Sequence, residues 1–222
     1  MDKLILRIIV WFPLAVFTIT GCNKTVSLVT LINEMADRKQ LTGFTEENYL
    51  LKQFSSYNRA SIAHDQKGWF ENNDMSHFIR VEETAGRREF VLFDAEGPGA
   101  VVRWWMTFYK AQNGVIRVYL YHDTIPSIKG SPSEVVSGSM IAGPPFSASV
   151  QAGAPLGEEG RDYDHNLYFP IPFARHCKIT YECDSVRVLY NYEGTPVKEG
   201  YYWPDVFYNI GYRAYHKNTR IE

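Results

Sequence analysis

The 222-residue sequence has few of the short motifs that identify common enzyme classes. It contains no glycine-rich phosphate loop and no serine nucleophile motif. Cys177 and Cys183 lack a metal-binding spacing, and on one strand they would lie about 20 Å apart, too far for a disulfide. We therefore expect two buried thiols. The six histidines show no close metal-binding spacing, so we expect no metal ion and no cofactor.

An excess of charge of either sign is also missing. The chain has 23 Lys and Arg against 25 Asp and Glu, a net charge of −2, which argues against a nucleic-acid partner. Aromatic residues, by contrast, make up 15% of the chain, with 15 Tyr and 13 Phe. Together with 16 Gly and 11 Pro as chain breakers, they favour an all-β fold over a helical one.

The N-terminal segment has no apolar run long enough for a confident membrane span. Lys3 and Arg7 precede the apolar stretch 8–17, and Gly21-Cys22 follows it. This order is typical of a bacterial lipoprotein signal in which Cys22 is lipidated. An uncleaved anchor and a plain signal peptide are the alternatives. We expect a signal peptide over residues 1–21 and a lipid-anchored protein of the cell envelope, facing the periplasm or the cell surface.

Residues 22–45 are predicted to form a tether with one short helix. Four apolar residues recur at helical spacing: Leu28, Leu31, Ile32 and Met35. Ser27 precedes them and can cap the helix. The rest, residues 46–222, consists of β-type runs separated by glycine and proline, which predicts a jelly-roll β-sandwich domain.

The longest β-type stretch lies between Glu89 and Asp123. Its two runs, 100–109 and 115–121, flank Asn113-Gly114, the strongest short-range signal for a two-residue hairpin. With period two, one face is apolar: Val102, Trp104, Met106, Phe108, Ile116, Val118 and Leu120. The other face carries mostly rings and guanidinium groups: Arg103, Trp105, Thr107, Tyr109, Arg117, Tyr119 and Tyr121. We expect this second face to be an interface or a sugar-binding surface.

Several motifs occur in one order along the chain. They are 55–61 (SSYNRAS), 68–70 (GWF) with Asn73-Asp74, 94–99 (DAEGPG) with Arg103-Trp104, 117–120 (RVYL), 166–173 (NLYFPIPF), 176–180 (HCKIT) and 208–213 (YNIGYR). In this order they resemble the first half of glycoside hydrolase family 172, and the resemblance spans roughly residue 27 to the end. It implies a subunit of two packed jelly rolls, of which this chain holds about one, and a homo-oligomer.

The resemblance also implies a bacterial glycan-acting hydrolase of furanosidase type with a retaining, two-carboxylate mechanism. It places the catalytic glutamates after the strand 208–215, so we expect no catalytic residue here and a truncated, inactive protein. Asp94 and Glu96 lie about 6.6 Å apart along a strand, within the range of a glycosidase pair. However, Glu96 begins a Gly-Pro-Gly turn, where acidic residues are ordinary. A lipid-anchored carbohydrate-binding β-sandwich without catalysis is the alternative, and a non-functional gene fragment is a third.

Two polar loops, at 53–61 and 68–74, are predicted to line a glycan site. They lack helix or strand periodicity and combine aromatic rings with side chains that hydrogen-bond sugars. With the ring on the polar face of the hairpin, the predicted substrate-binding residues are Tyr57, Arg59, Trp69, Asn73, Asp74 and Trp105. Two alternatives remain: the Asn and Asp residues are turn formers, and Trp69 packs the helix of residues 28–35 onto the sheet.

Overall fold

The structure is a computed structural model, in which two antiparallel β-sheets pack face to face. It describes residues 25–39, 49–59, 61–67, 69, 74–108, 114–151, 163–184, 187–188 and 202–222. The predicted signal segment, Asn73, Asn113 and Cys22 lie outside these residues. The predicted all-β sandwich is confirmed.

The first sheet has six strands, in the order β2-β14-β5-β9-β8, with β10 paired to β5. Its strands are β2 (Tyr49–Ser55), β5 (Gly99–Phe108), β8 (Ser147–Gln151), β9 (Tyr163–Leu167), β10 (Ile171–Phe173) and β14 (Val206–Tyr215). The centre of this sheet is thus formed by β5 and β14, two strands of 10 residues each.

The second sheet has five strands, in the order β3-β4-β11-β6-β7. Its strands are β3 (Arg80–Thr84), β4 (Arg87–Glu96), β6 (Val115–Leu120), β7 (Ile128–Gly130) and β11 (His176–Glu182). Strands β3 and β4 form a tight hairpin. Its two turn residues, Ala85 and Gly86, have φ of 50° and 76°, as a type I′ turn requires.

Short elements complete the described fold. They are β1 (Thr25–Val26), α1 (Leu28–Ala36), α2 (Pro132–Val136), β12 (Arg187–Val188), β13 (Tyr202–Trp203) and β15 (Arg220–Ile221). The predicted first helix is confirmed as α1. Ser27 caps it, as predicted, because its Oγ accepts a hydrogen bond from Thr30 N at 3.2 Å. Leu31 anchors α1 in a small cluster with Val26 and Ala100.

The core lies between the two sheets. Its largest fully buried side chains include Trp104, Tyr181, Tyr208, Phe90, Phe93, Phe173 and Met106. The predicted alternation of β5 holds from Trp104 to Phe108, but it fails at Val102. The register of β5 with β14 shifts there, between Gly211 and Tyr212, so that Val101 enters the core and Val102 packs against the α1 cluster. Such a bulge cannot be seen in an alternating pattern.

The predicted hairpin at Asn113-Gly114 is wrong. Its two strands lie in opposite sheets, since β5 pairs with β14 and β9 whereas β6 pairs with β11 and β7. Gly114 is needed for a different reason, close packing. Its N–H donates to the buried Tyr181 hydroxyl at 3.2 Å, and a Cβ there would collide with the backbone oxygen of Glu182.

The outer face of the five-stranded sheet holds a buried polar network. Glu89, only 1% exposed, accepts hydrogen bonds from Tyr119 Oη at 2.9 Å and from Thr180 Oγ1 at 2.7 Å. Arg87 NH2 lies 3.0 Å from the same carboxylate, and Arg117 NH1 lies 3.9 Å from it. Tyr119, which we expected in an exposed aromatic patch, is therefore a buried hydrogen-bond donor with 4% exposure.

The remaining sequence predictions on the fold concern the thiols and the membrane. Cys177 and Cys183 are buried thiols with no disulfide between them, as predicted, and burial raises the pKa of the Cys177 thiol. Over the described ranges, no helix combines the length and apolar character that crossing a bilayer requires.

Candidate functional site

The segment that follows β2, residues 56–59, meets residues 74–77, and these two loops form the centre of the predicted glycan site. Arg59 holds them together: its NH1 donates to the carbonyls of Tyr57 at 3.2 Å and His77 at 3.0 Å, and its NH2 donates to that of Ser55 at 3.1 Å. The guanidinium also lies 4.8 Å from the centre of the Tyr57 ring. Arg59 therefore fixes the loop backbone and leaves the Tyr57 ring half exposed.

Asp74 joins the same cluster through the backbone. Its Oδ1 accepts a hydrogen bond from the N–H of Asn58 at 2.8 Å, while the residue itself is exposed. Behind it, Tyr208 of the central strand β14 donates its hydroxyl proton to the carbonyl of His77 at 2.9 Å. Burial raises the pKa of Tyr208 to about 12, so it stays a neutral donor. The two loops are thus held by the sheet beneath them.

Trp69 belongs to a short turn that follows. Its N–H donates to the carbonyl of Gln66 at 3.1 Å, and its carbonyl accepts a hydrogen bond from the hydroxyl of Ser61. The side chain is 47% exposed. Leu31 of α1 packs in a cluster with Val26, Ala100, Val102, Tyr215 and Ile221. The assignment of Trp69 to a glycan site and the alternative that it packs the helix onto the sheet both stay predictions.

Trp105 lies elsewhere, in the middle of β5. In the sheet register it is flanked by Asn209 of β14 on one side and by Asn166 of β9 on the other. Asn209 Nδ2 donates to Gln53 Oε1 at 3.1 Å, which extends the row to β2. This row combines one half-buried indole with amides on the outer face of the six-stranded sheet. Asn73 lies outside the described residues, and the assignment of all six residues to a glycan site stays a prediction.

The two carboxylates weighed as a catalytic pair are engaged in ion pairs. Asp94 bonds Arg80, and its Oδ1 lies 2.7 Å from His176 Nε2. Burial opposes its charge, but hydrogen bonds from His176 and Arg80 outweigh that and hold the pKa of the Asp94 carboxyl below its ordinary value. The Glu96 side chain is 73% exposed and lies 3.4 Å from His122 Nε2. A lowered pKa is the opposite of what a general acid requires, so Asp94 does not fit that role.

The same region contains a cluster that the sequence did not predict. Glu96, His122 and His176 each place one possible metal-ligand atom within 4.8 Å of the others. The two histidines are far apart in the chain, so their spacing carries no signal. Only the order β4-β11-β6 in the sheet brings the three residues together.

Comparison with known proteins gives one result at the level of families. No curated protein sequence matches the chain. A family model described as the GH172 first beta-sandwich domain matches residues 47–222. This range contains both sheets and the loop cluster around Arg59. The chain therefore belongs to glycoside hydrolase family 172, and residues 47–222 are its first β-sandwich domain.

Proposed function

We propose that this domain binds glycan for a furanosidase-type glycoside hydrolase whose catalytic carboxylates lie outside the described residues. The observation that supports this most directly is the loop cluster at the end of β2. The cluster carries the half-exposed ring of Tyr57 and the exposed Asp74, and the turn that follows carries the half-exposed ring of Trp69. An aromatic ring covers the apolar face of a sugar, and a carboxylate accepts strong hydrogen bonds from its hydroxyls.

The rigidity of the cluster also favours binding. Arg59 donates three hydrogen bonds to backbone carbonyls, so the loop is held before a ligand arrives. Ordering a loop on binding costs free energy, and a loop ordered in advance avoids that cost. Arg59 is therefore assigned a positioning role, whereas Tyr57, Trp69 and Asp74 are assigned to contact with sugar.

We place the catalytic carboxyl groups in another part of the complete enzyme, because Asp94 and Glu96 do not form a suitable pair. A retaining glycosidase needs one carboxyl that is protonated at working pH, with a raised pKa, beside a carboxylate nucleophile. Asp94 has a lowered pKa and Glu96 is well solvated. We expect a pair of glutamates from another part of the complete enzyme, and no turnover by this domain alone. We also expect the complete protein to be a homo-oligomer.

A second candidate function is glycan binding without catalysis, in a lipid-anchored β-sandwich. It is favoured by the row of Trp105, Asn209 and Asn166, because an indole flanked by amides suits stacking and hydrogen bonding to a sugar. The two functions use different surfaces. Loss of binding in Trp105→Ala with full binding in Trp69→Ala would favour this second candidate.

The glycan-binding prediction can be tested by native electrophoresis of the full chain, in detergent, through gels containing arabinan, levan, inulin, xylan or starch. We expect at least one furanose polymer to retard the protein. Trp69→Ala and Tyr57→Ala should each weaken that retardation about tenfold, because each removes one stacking surface.

Tyr121→Asn is the matched control. It removes another half-exposed ring, from the turn after β6, and asparagine tolerates the φ of 58° at that position. Its mobility should match that of the wild type. Unchanged retardation in both Trp69→Ala and Tyr57→Ala, or no retardation by any of these polymers, would contradict the proposed site.

The proposed anchor is tested separately. The order of basic residues, apolar residues and Gly21-Cys22 predicts that Cys22 carries lipid. A bacterium expressing the full chain with labelled palmitate should yield labelled protein, and Cys22→Ala should yield none. The buried thiol variant Cys177→Ala is the control and should keep the label. Label retained in Cys22→Ala would show that the lipidation prediction is wrong.

A further inference from the structure

Three metal-ligand side chains lie together at one end of the three inner strands of the five-stranded sheet. Glu96 ends β4, and its register partner His176 begins β11. His122 follows the end of β6, the strand on the other side of β11. One ligand atom from each residue lies within 4.8 Å of the other two. The fold thus brings two imidazoles and one carboxylate to a single point.

The backbone that carries His122 is held in an uncommon conformation. Tyr121 and His122 have φ of 58° and 63°, which residues other than glycine rarely adopt. The turn is closed by a hydrogen bond from Asp123 N to Leu120 O at 3.0 Å. A further bond, from Tyr121 N to His176 O at 3.1 Å, ties it to β11. Such conformations persist where the surrounding structure enforces them, and they cluster at functional sites.

His176 provides the observation that points to a ligand. Its side chain is buried, and Nε2 lies 2.7 Å from Asp94 Oδ1. Its other ring nitrogen, Nδ1, is also buried and has no hydrogen-bond partner within the described residues. A buried polar atom without a partner is costly, so a ligand at Nδ1 would remove a penalty that the folded protein otherwise bears.

The contact with Asp94 resembles the surroundings of a metal-bound histidine. Histidine ligands commonly donate their second N–H to a carboxylate, which fixes the ring and makes the coordinating nitrogen more basic. Asp94 is itself held in place by Arg80. His176 is therefore oriented with Nδ1 as the nitrogen left for coordination.

We propose that Glu96, His122 and His176 bind a divalent transition-metal ion of the zinc type, with Asp94 orienting His176. Two imidazoles and a carboxylate form a ligand set that Zn²⁺ accepts, and they leave a fourth tetrahedral position for water or a bound molecule. The three ligands lie at the ends of strands that are neighbours in the sheet but distant in the chain, so the ion would join these ends of β4, β6 and β11.

Binding requires one movement. The rings of His122 and His176 are stacked, with centroids 4.0 Å apart and planes 8° apart. Because the lone pair of an imidazole lies in the ring plane, parallel rings cannot direct their lone pairs at one ion. The His122 side chain is 56% exposed and can rotate, whereas the buried His176 stays in place.

The test is calorimetric titration of the full chain with Zn²⁺, followed by Co²⁺ for its visible absorption. We expect one site per chain and a cobalt band typical of nitrogen and oxygen ligands. His122→Asn should weaken Zn²⁺ binding at least about tenfold without lowering the melting temperature of the metal-free protein, because the side chain is exposed and asparagine tolerates the φ of 63°. Asp94→Asn should weaken binding by about 10-fold to 100-fold, the usual effect of removing such a carboxylate.

His64→Ala is the matched control, because His64 is exposed and lies outside the cluster. It should bind Zn²⁺ like the wild type and keep the cobalt band. The proposal is overturned if the wild-type chain takes up neither ion. It is equally overturned if His122→Asn and the wild type bind Zn²⁺ with the same affinity, because the metal would then be held elsewhere.

Discussion

Replacing Glu89 with glutamine should lower the free energy of unfolding by about 3 kcal/mol, because it removes one partner from a buried ionic network. The Glu89 carboxylate accepts hydrogen bonds from Tyr119, Thr180 and Arg87, with Arg117 close by. An amide has one acceptor oxygen in place of two and carries no charge. The buried Arg117 would then rely on Glu182 alone, at 2.5 Å.

The same network should make the protein less stable at low pH. Burial opposes the charge of Glu89, but hydrogen bonds from Thr180, Arg87 and Tyr119 keep its pKa below the ordinary value. A carboxyl with a lowered folded-state pKa contributes stability above its unfolded pKa of about 4.5 and loses it as the pH falls through the folded-state pKa. The free energy of unfolding should therefore fall below about pH 4.5, and less steeply in Glu89→Gln.

Glu83→Gln is the control for this experiment. Glu83 pairs with Arg88 on the same strand pair, but its side chain is 65% exposed. Exposed ion pairs contribute little, so this variant should change the free energy of unfolding by less than about 0.5 kcal/mol. Urea denaturation of the three proteins between pH 3 and pH 7 measures both effects. Equal stability of Glu89→Gln and Glu83→Gln would show that the network is not stabilising.

Replacing Gly114 with alanine should cost about 3 kcal/mol, the upper end of ordinary overpacking. The added methyl group would meet the backbone oxygen of Glu182 and the ring of Tyr181. The ring is fully buried and accepts a hydrogen bond from Gly114 N through its hydroxyl, so it has little room to move. The clash of the added methyl group can therefore be removed only by a shift of β6 against β11.

Gly211→Ala is the matched substitution. Gly211 lies in the central strand β14, and the nearest atom to an added Cβ is Arg103 Cβ at 3.8 Å, an ordinary contact. Alanine there should leave stability unchanged or raise it by about 0.5 kcal/mol, since it restricts the unfolded chain. Thermal unfolding of both variants measures the difference. Equal melting temperatures would contradict the packing role assigned to Gly114.

The sequence predicted the features that depend on local pattern. Glycine, proline and aromatic content predicted the all-β class, and helical spacing with Ser27 predicted α1. Alternation predicted the inward face of β5 from Trp104 onwards. Each of these follows from residues close together in the chain, so one segment contains all the information needed.

The features that the sequence did not predict depend on distant partners. Asn-Gly between two β-type runs is typical of a hairpin, but here the strands on either side pair with other strands, in opposite sheets. The bulge at Val102 depends on its register with β14, and the burial of Tyr119 depends on Glu89. The cluster of Glu96, His122 and His176 likewise exists only through strand order. Period-two reasoning cannot supply such pairings.

The position of β14 between β2 and β5 has a consequence for how the chain folds during synthesis. Asn209 of β14 bonds Gln53 of β2, 156 residues earlier in the chain. At 5–20 residues per second, β2 waits about 8 to 30 s for this neighbour while the ribosome makes the rest. During that interval β2 and β5 each keep an unpaired edge where β14 will insert. Those open edges are sites at which one nascent chain can pair with another, so folding of this domain depends on protection of early strands until the last long one emerges.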